Sequence, residues 1–197
     1  MSATTRTAAT AAVGRTDSGK GGAVGAGAIR MQSDIVTSRG ARIALAVSRL
    51  LIGWTFLWPF LDKLFGLGFS TKPDKAWIAG GHPAQGFIGG VEGPFAPLIK
   101  LFGNPVGDVL FMVALLAIGV AVMSGAGLRI AAIAGSVLLF MMWLAEFPPV
   151  LGGTNPLVDS HWLEAAMLIV AAVTLSGDTW GLGKVWGRII GRHQWLR

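Results

Sequence analysis

The stretch "SRLLIGWTFLWPFLDKLFG", Ser48 to Gly66, decides how this chain is read. Most of it is apolar enough for lipid, yet Arg49 stands near one end and Asp62-Lys63 near the other. Only 12 uncharged residues separate Arg49 from Asp62, whereas a spanning helix needs about 20 mainly apolar residues. The segment crosses a bilayer only if it carries charges inside it. Ionisable side chains there cost about 2.5–3.5 kcal/mol on insertion scales, so each must have a partner or a task.

The rest of the chain supports a bilayer. Of 197 residues, 53% are hydrophobic and 13% charged, against about a quarter charged in a soluble domain. Mean hydropathy is +0.63. There is no cysteine, which excludes disulfides, thiol nucleophiles, Cys-ligated zinc, iron–sulfur clusters and covalently attached c-type haem. Any redox chemistry would be carried by a bound small molecule or a partner, and no bound metal or haem is expected.

Working outward, four apolar segments are expected as membrane helices, at about 42–65, 108–127, 129–147 and 157–177. The second follows Asp108 with 20 uncharged residues and meets the length requirement alone; the fourth must carry Glu164 within it. Residues 1–40, rich in Ala, Gly, Thr and Ser, show no apolar periodicity and read as a disordered tail. A signal peptide does not fit, because the first apolar run begins only near Ile43 and no A-x-A site follows it. The long Gly/Pro-rich connection between the first two helices carries Trp77, Phe87, Phe95, Ile99 and Phe102, too apolar for free disorder. It is expected to cap the bundle, with "PFAPLIKLF" as a short interfacial helix. Residues 178–197 combine Trp180, Trp186 and Trp195 with basic residues, the pattern of an interfacial anchor. The fold class is therefore all-α: a polytopic four-helix membrane bundle spanning 41–177. Six Arg/Lys through Arg42, then Arg129 and the basic C-terminus, predict a cell-membrane protein with both termini cytoplasmic. The formal charge of +6 is mostly this topogenic bias, not a nucleic-acid signal.

The embedded charges supply the candidate site. Arg49 either snorkels to the headgroups or donates to an anion or a quinone carbonyl. Asp62 and Lys63 point about 100° apart on a helix, so each needs a different partner. They are either solvated interface residues, or Lys63 turns inward to a carboxylate of another helix. Glu146 closes the third helix, and the fourth opens as "DSHWLEAAMLIV", with His161, Glu164 and Leu168 on one face. A metal site is disfavoured, because a single reversed Glu/His copy is half of what di-metal bundles use. A neutral His beside a buried Glu suits proton handling, although a His–Glu hydrogen bond that merely fixes packing is the plainer alternative. Asp62, Lys63, Glu146, Asp159, His161 and Glu164 all fall toward the outer end.

The segments "SRLLIGWTFLWPFLDKLFGLGF", "GNPVGDVLFMVALLAIGVAVMSGAGLRIAAIAGSVLLFMMWLAEFPP" and "NPLVDSHWLEAAMLIVAAVTLSGDTWGLGKVW" resemble the DoxX/DoxD family of four-helix membrane proteins, in its actinobacterial form. The resemblance covers about residues 42–186. It is most specific at Arg49, Gly53, Trp54, Asp62, Lys63 and Leu64 and at the "GDTWGLG" ending. It implies the large subunit of a quinone-dependent thiosulfate dehydrogenase, which joins two thiosulfates as tetrathionate and passes both electrons to membrane quinone. The family supplies no catalytic residues to carry over, so the site follows from chemistry. An anionic substrate wants cations (Lys63, Arg49), and a quinone wants an apolar slot with donors (Trp143, His161, Trp162). Glu164 and His161 are the expected proton-handling pair, with Asp62 and Glu146 nearby. With no cysteine to hold sulfur, the S–S bond forms between bound substrates or on a small partner subunit. The bilayer, quinone and thiosulfate are the remaining expected partners, and oligomers are open. The alternative is a non-enzymatic scaffold or assembly subunit. A transporter fits less well, lacking the inverted repeat of that class.

Overall fold

The computed structural model describes residues 29–147, 155 and 158–197. All regular structure among them is helical. Helix α1 is Arg39–Phe65, α2 Gln85–Gly89, α3 Ala96–Lys100, α4 Pro105–Ser124, α5 Leu128–Ala145, α6 Ser160–Val173 and α7 Gly183–Ile189. Three of them, α1, α4 and α5, are long and apolar enough to cross a membrane, which marks a membrane protein. Their outward faces carry Leu51, Val113, Ile133 and Val137, all exposed, so no polar stripe faces outward on these helices.

Local chemistry explains where each helix starts and stops. Ser38 caps α1, accepting from the Ala41 N–H, and Gly66 ends it in the left-handed conformation at φ 66°. Asn104 caps α4 by accepting from Val106 and Gly107 N–H, with Pro105 at the first helical position, where its missing N–H costs nothing. This cap starts α4 three residues before the expected 108, and left-handed Gly125 stops it three before the expected 127. Helix α5 ends at Ala145, with Glu146 as its C-cap. The largest difference is α6. It begins after the Asp159 cap and ends at Thr174, because Leu175 turns left-handed (φ 50°) into a 3-10 turn over Ser176–Asp178. Its 14 residues reach about 21 Å, less than the ~30 Å hydrocarbon core.

Helices α1, α4, α5 and α6 pack in a ring, each against its two neighbours. The α1–α4 pair is antiparallel and close: a Cβ on Gly53 would meet Met123 at 2.9 Å, and one on Gly119 would meet the Leu57 backbone nitrogen at 3.0 Å. Small residues at such crossings let backbones approach where lipid supplies no hydrophobic drive. Ile52, Phe56, Phe60, Met112, Ile118, Leu139 and Leu168 fill the centre.

The two ends of the bundle differ. At the loop end, residues 66–104 fold into a cap with its own core, Ala84, Ile88, Val91, Ala96 and Ile99 packing on Leu144 and Ala145 of α5. Asp108 pins this cap: it accepts from Ala84 N–H (2.8 Å), Gln85 N–H (3.2 Å) and Gln85 Nε2, and its Oδ2 lies 3.1 Å from His82 Nδ1. At the terminal end, the chain's two arms meet. The disordered tail expected over 1–40 lies outside the described residues for 1–28, and its remainder is packed rather than free. Gln32 is buried; its N–H donates to Asp178 Oδ2 (2.8 Å), and its Oε1 accepts from the Thr179 hydroxyl (2.6 Å). Arg197 seals the same junction, pairing with Asp178 and donating to the Arg30 carbonyl.

Candidate functional site

The structure separates the sequence-predicted residues into two groups: those whose polar atoms are taken up by the backbone, and those left free. Arg49 belongs to the first through its two terminal nitrogens, while its Nε is buried with no hydrogen-bond partner among the described residues. The residue is fully buried and sits at the terminal end, away from the other candidates. Its NH1 donates to the Val122 and Met123 carbonyls at the end of α4, and its NH2 to Trp180 O (2.9 Å) and, more weakly, Thr179 O (3.5 Å). A cation at a helix C-terminus meets the negative end of the dipole and the carbonyls that lack intrahelical partners. This is a clamp between α4 and the "GDTWGLG" turn, an arrangement that is neither the snorkelling nor the ligand contact weighed for Arg49 from the sequence. The glycines of the turn make the approach feasible: a Cβ on Gly177 would lie 2.0 Å from the Gly125 carbonyl oxygen.

Asp62 is also a clamp. It is buried and accepts from Phe69 N–H (3.2 Å), Ser70 N–H (2.8 Å) and the Ser70 hydroxyl (2.6 Å), closing the turn after α1. Lys63 Nζ reaches Ser70 Oγ at 3.2 Å. The two side chains therefore share one partner instead of seeking separate ones. Among the described residues no carboxylate of another helix pairs with Lys63. The reason is local: Gly66 reverses the chain, which brings Ser70 back over the last turn of α1.

The second group lies between α5 and α6 at the loop end. A groove of about 320 Å³ runs there, lined by Ser136, Phe140, Trp143, His161, Trp162 and Ile169 among others. Its rings form one array. Phe140 stacks on Trp143 (centroids 5.9 Å), Trp162 meets Trp143 edge-on (5.4 Å), and Phe147 extends the array from Trp143 to Phe95 beside the cap. Trp143, His161 and Trp162, the residues expected as donors around an apolar slot, thus line one groove. Ser136 and Phe140, which the sequence reading did not single out, complete it. The Ser136 hydroxyl is buried with no hydrogen-bond partner among the described residues.

His161 is the imidazole of that lining. Asp159 caps α6 through its Oδ1, which accepts from His161 N–H (3.0 Å), while its Oδ2 lies 2.7 Å from His161 Nδ1. The His161–Glu164 hydrogen bond weighed as the plainer alternative is not formed; the imidazole turns instead to the aspartate two residues earlier. With Nδ1–H donated to Asp159, the neutral ring presents Nε2 as its free nitrogen. Burial works against the Asp159 charge, but the bonds from the His161 ring and from the His161 and Trp162 N–H groups outweigh it, holding the carboxyl below its usual range. Glu164 is half-buried and close enough to feel the charges of His161 and Asp159. Glu146 is exposed at the end of α5. It joins Asp159 and His161 in a cluster whose ligand atoms all lie within 4.8 Å of one another, a set that could hold a divalent cation. Asp159, read from the sequence as lying at this end but given no role, is the residue that orients the imidazole, and the Asp-x-His spacing at a helix start was its signal. Compared with known proteins, the chain matches no family model, no curated sequence and no solved structure.

Proposed function

We propose that the chain is the quinone-binding membrane subunit of an oxidoreductase, with the quinone ring seated in the α5–α6 groove. The observation that carries this reading is the convergence of an apolar aromatic slot with an imidazole in its lining that Asp159 orients. Phe140 and Trp162 are partly exposed on the outer face of the bundle, so a lipid-dissolved quinone enters sideways from the bilayer. The ring stacks against indole faces. One carbonyl takes a hydrogen bond from His161 when its Nε2 carries a proton; Asp159 holds the ring through Nδ1, and Glu164 is the nearby acid that supplies the proton. The free Ser136 hydroxyl offers a donor deeper in the slot.

The donor comes from the resemblance to the DoxX/DoxD family. Two thiosulfates join through their sulfane sulfurs to give tetrathionate; the two electrons released, with two protons, reduce the quinone to quinol. Four helices span the membrane in this reading, α6 completing its crossing through the 176–178 turn, and the basic residues at 30, 129, 184, 188 and 192 favour both termini on the cytoplasmic side. Quinone is the only small-molecule acceptor invoked.

A second reading, a scaffold or assembly subunit, is favoured by one observation: Arg49, Asp62, Asp108 and Asp178 all serve the fold. Thiosulfate-dependent quinone reduction in membranes expressing the chain, alone and with candidate partner subunits, separates the two. Activity that falls in His161→Gln and Glu164→Gln supports the enzyme. Full activity in both variants discards the site, and none in any membrane favours the scaffold.

A further inference from the structure

At the terminal end, far from the aromatic groove, a second cavity of about 270 Å³ is lined by Arg30, Arg129, Leu175, Gln194, Trp195 and Arg197. Three arginines line it and no Asp or Glu side chain does; Arg129 NH1 donates to the Trp195 carbonyl (3.3 Å). Arg197 is paired with Asp178, but among the described residues neither Arg30 nor Arg129 has an acidic partner. Like charges gathered without a counter-charge are unfavourable unless an anion joins them. Arg197 is 4% exposed, and its Nε is buried with no hydrogen-bond partner, as is the Gln194 Oε1. The two side chains are fixed by their remaining bonds, Arg197 to Arg30 and Asp178, and Gln194 Nε2 to the Gly187 carbonyl. Leu175 supplies an apolar floor.

We infer that this cavity binds a phosphate-bearing anion, and that its source is the headgroup of an anionic phospholipid. Guanidinium pairs are suited to phosphate because their fixed N–H forks match its oxygens. The lipid source follows from the surroundings. Trp180, Leu182, Val185, Ile189 and Trp195 are all exposed around this end, an apolar and indole-bearing collar of the kind that sits at headgroup depth. Trp195 belongs both to that collar and to the cavity wall. An acyl chain can therefore lie along the collar while the phosphate reaches the arginines. The bound lipid would also bridge α5, through Arg129, to the N-terminal arm, through Arg30.

The test uses the full chain in a neutral detergent, titrated with short-chain phosphatidylglycerol and, separately, with inorganic phosphate. Saturable phosphatidylglycerol binding is expected, weakened about fivefold by Arg129→Gln or Arg30→Gln, each near-surface arginine contributing about that factor. Both residues are exposed, so the variants should fold, and their melting curves check this. The double variant Lys184→Gln/Arg188→Gln, outside the cavity, should bind as the parent does. Inorganic phosphate binding that is equally strong and is lost in Arg129→Gln upholds the anion site and makes the soluble ion its source. Equal losses in the Lys184/Arg188 variant, or no saturable binding of either probe, overturn the inference.

Discussion

Replacing Arg49 with Met tests whether the central charge of the first helix serves the fold or a ligand. Three good hydrogen bonds go to Val122, Met123 and Trp180 carbonyls and a fourth, long one to Thr179. Bonds to a charged donor contribute about 1.5–3 kcal/mol each, so three of them give a ceiling of ~5–9 kcal/mol. Removing the guanidinium also removes its desolvation cost, which is itself several kcal/mol. What remains is the penalty of burying carbonyls without partners, and the net loss is expected near 3–5 kcal/mol, the range for breaking a buried charged contact. Arg49→Lys should recover only part of it, because one ammonium cannot span carbonyls on both α4 and the 176–182 turn as the planar fork does. The assay is reversible unfolding of the purified chain in mixed micelles, with quinone binding measured in parallel by tryptophan quenching. A large stability loss with unchanged quinone affinity in the folded fraction is the expected pair of results. A stability change below about 1 kcal/mol together with lost quinone or thiosulfate binding would refute the clamp and restore Arg49 as a ligand residue.

Other perturbations act on separate parts of the molecule. His161→Gln removes the oriented ring nitrogen at the groove and should weaken quinone binding about tenfold, the worth of one charge-assisted hydrogen bond; an unchanged Kd by the same quenching assay would count against the groove. Gly119→Ala puts a methyl group about 3.0 Å from the Leu57 backbone and should cost ~1–3 kcal/mol as overpacking, read as a lower melting temperature. The Asp159 carboxyl has a depressed folded-state pKa, so its stabilisation is full above its unfolded value, about 3.9, and disappears as pH falls through the lower folded value. The melting-temperature gap between parent and Asp159→Asn should accordingly hold from neutral pH to about pH 4 and close below it. Zinc ions, seated on Glu146, Asp159 and His161, should inhibit quinone turnover, since Zn–ligand bonds of about 2.0–2.2 Å need those atoms to draw in only slightly. Asp159→Asn should relieve that inhibition.

Much of the fold was legible because hydropathy and helix punctuation act locally. The run after Asp108 and the run between Arg129 and Glu146 read directly as helices, and Asn104-Pro105 and Gly125 mark the ends of α4 for anyone reading caps instead of charges. The length of α6 was not legible: Leu175 adopts a left-handed conformation that nothing in its own chemistry requests, and the approach of Gly177 to Gly125 imposes it from outside. The cap over 66–104 was legible as apolar but not in its anchoring, since Asp108 lies 24 residues from the Ala84 N–H it accepts. For the site, residue types at one level of the bundle were readable and pairings were not. Asp159 stands two residues before His161 and Glu164 three after it, both within reach in sequence, and the cap geometry of α6 decides that the aspartate takes Nδ1.

The charges in the first helix now sort by a rule that extends to the whole chain. Arg49 meets carbonyls at a helix end, whereas Asp62 and Asp108 meet N–H groups at turns; in each case a buried charge satisfies backbone that the fold has left without partners. Such residues are indispensable to stability and tell nothing about a substrate. The informative ionisable groups are those whose atoms the backbone does not use, His161 Nε2, the Glu164 carboxylate and Glu146, together with Arg30 and with Arg129, whose NH1 alone goes to backbone, at the Trp195 carbonyl. They gather in two places, one beside an aromatic groove and one in a basic cavity at the opposite end. Perturbing the first set should alter turnover with little change in melting, perturbing the second should alter lipid binding, and perturbing the clamps should do the reverse of the first. A Glu164→Gln variant that unfolds as readily as Arg49→Met would break this division, because it would place the glutamate among the supports of the bundle.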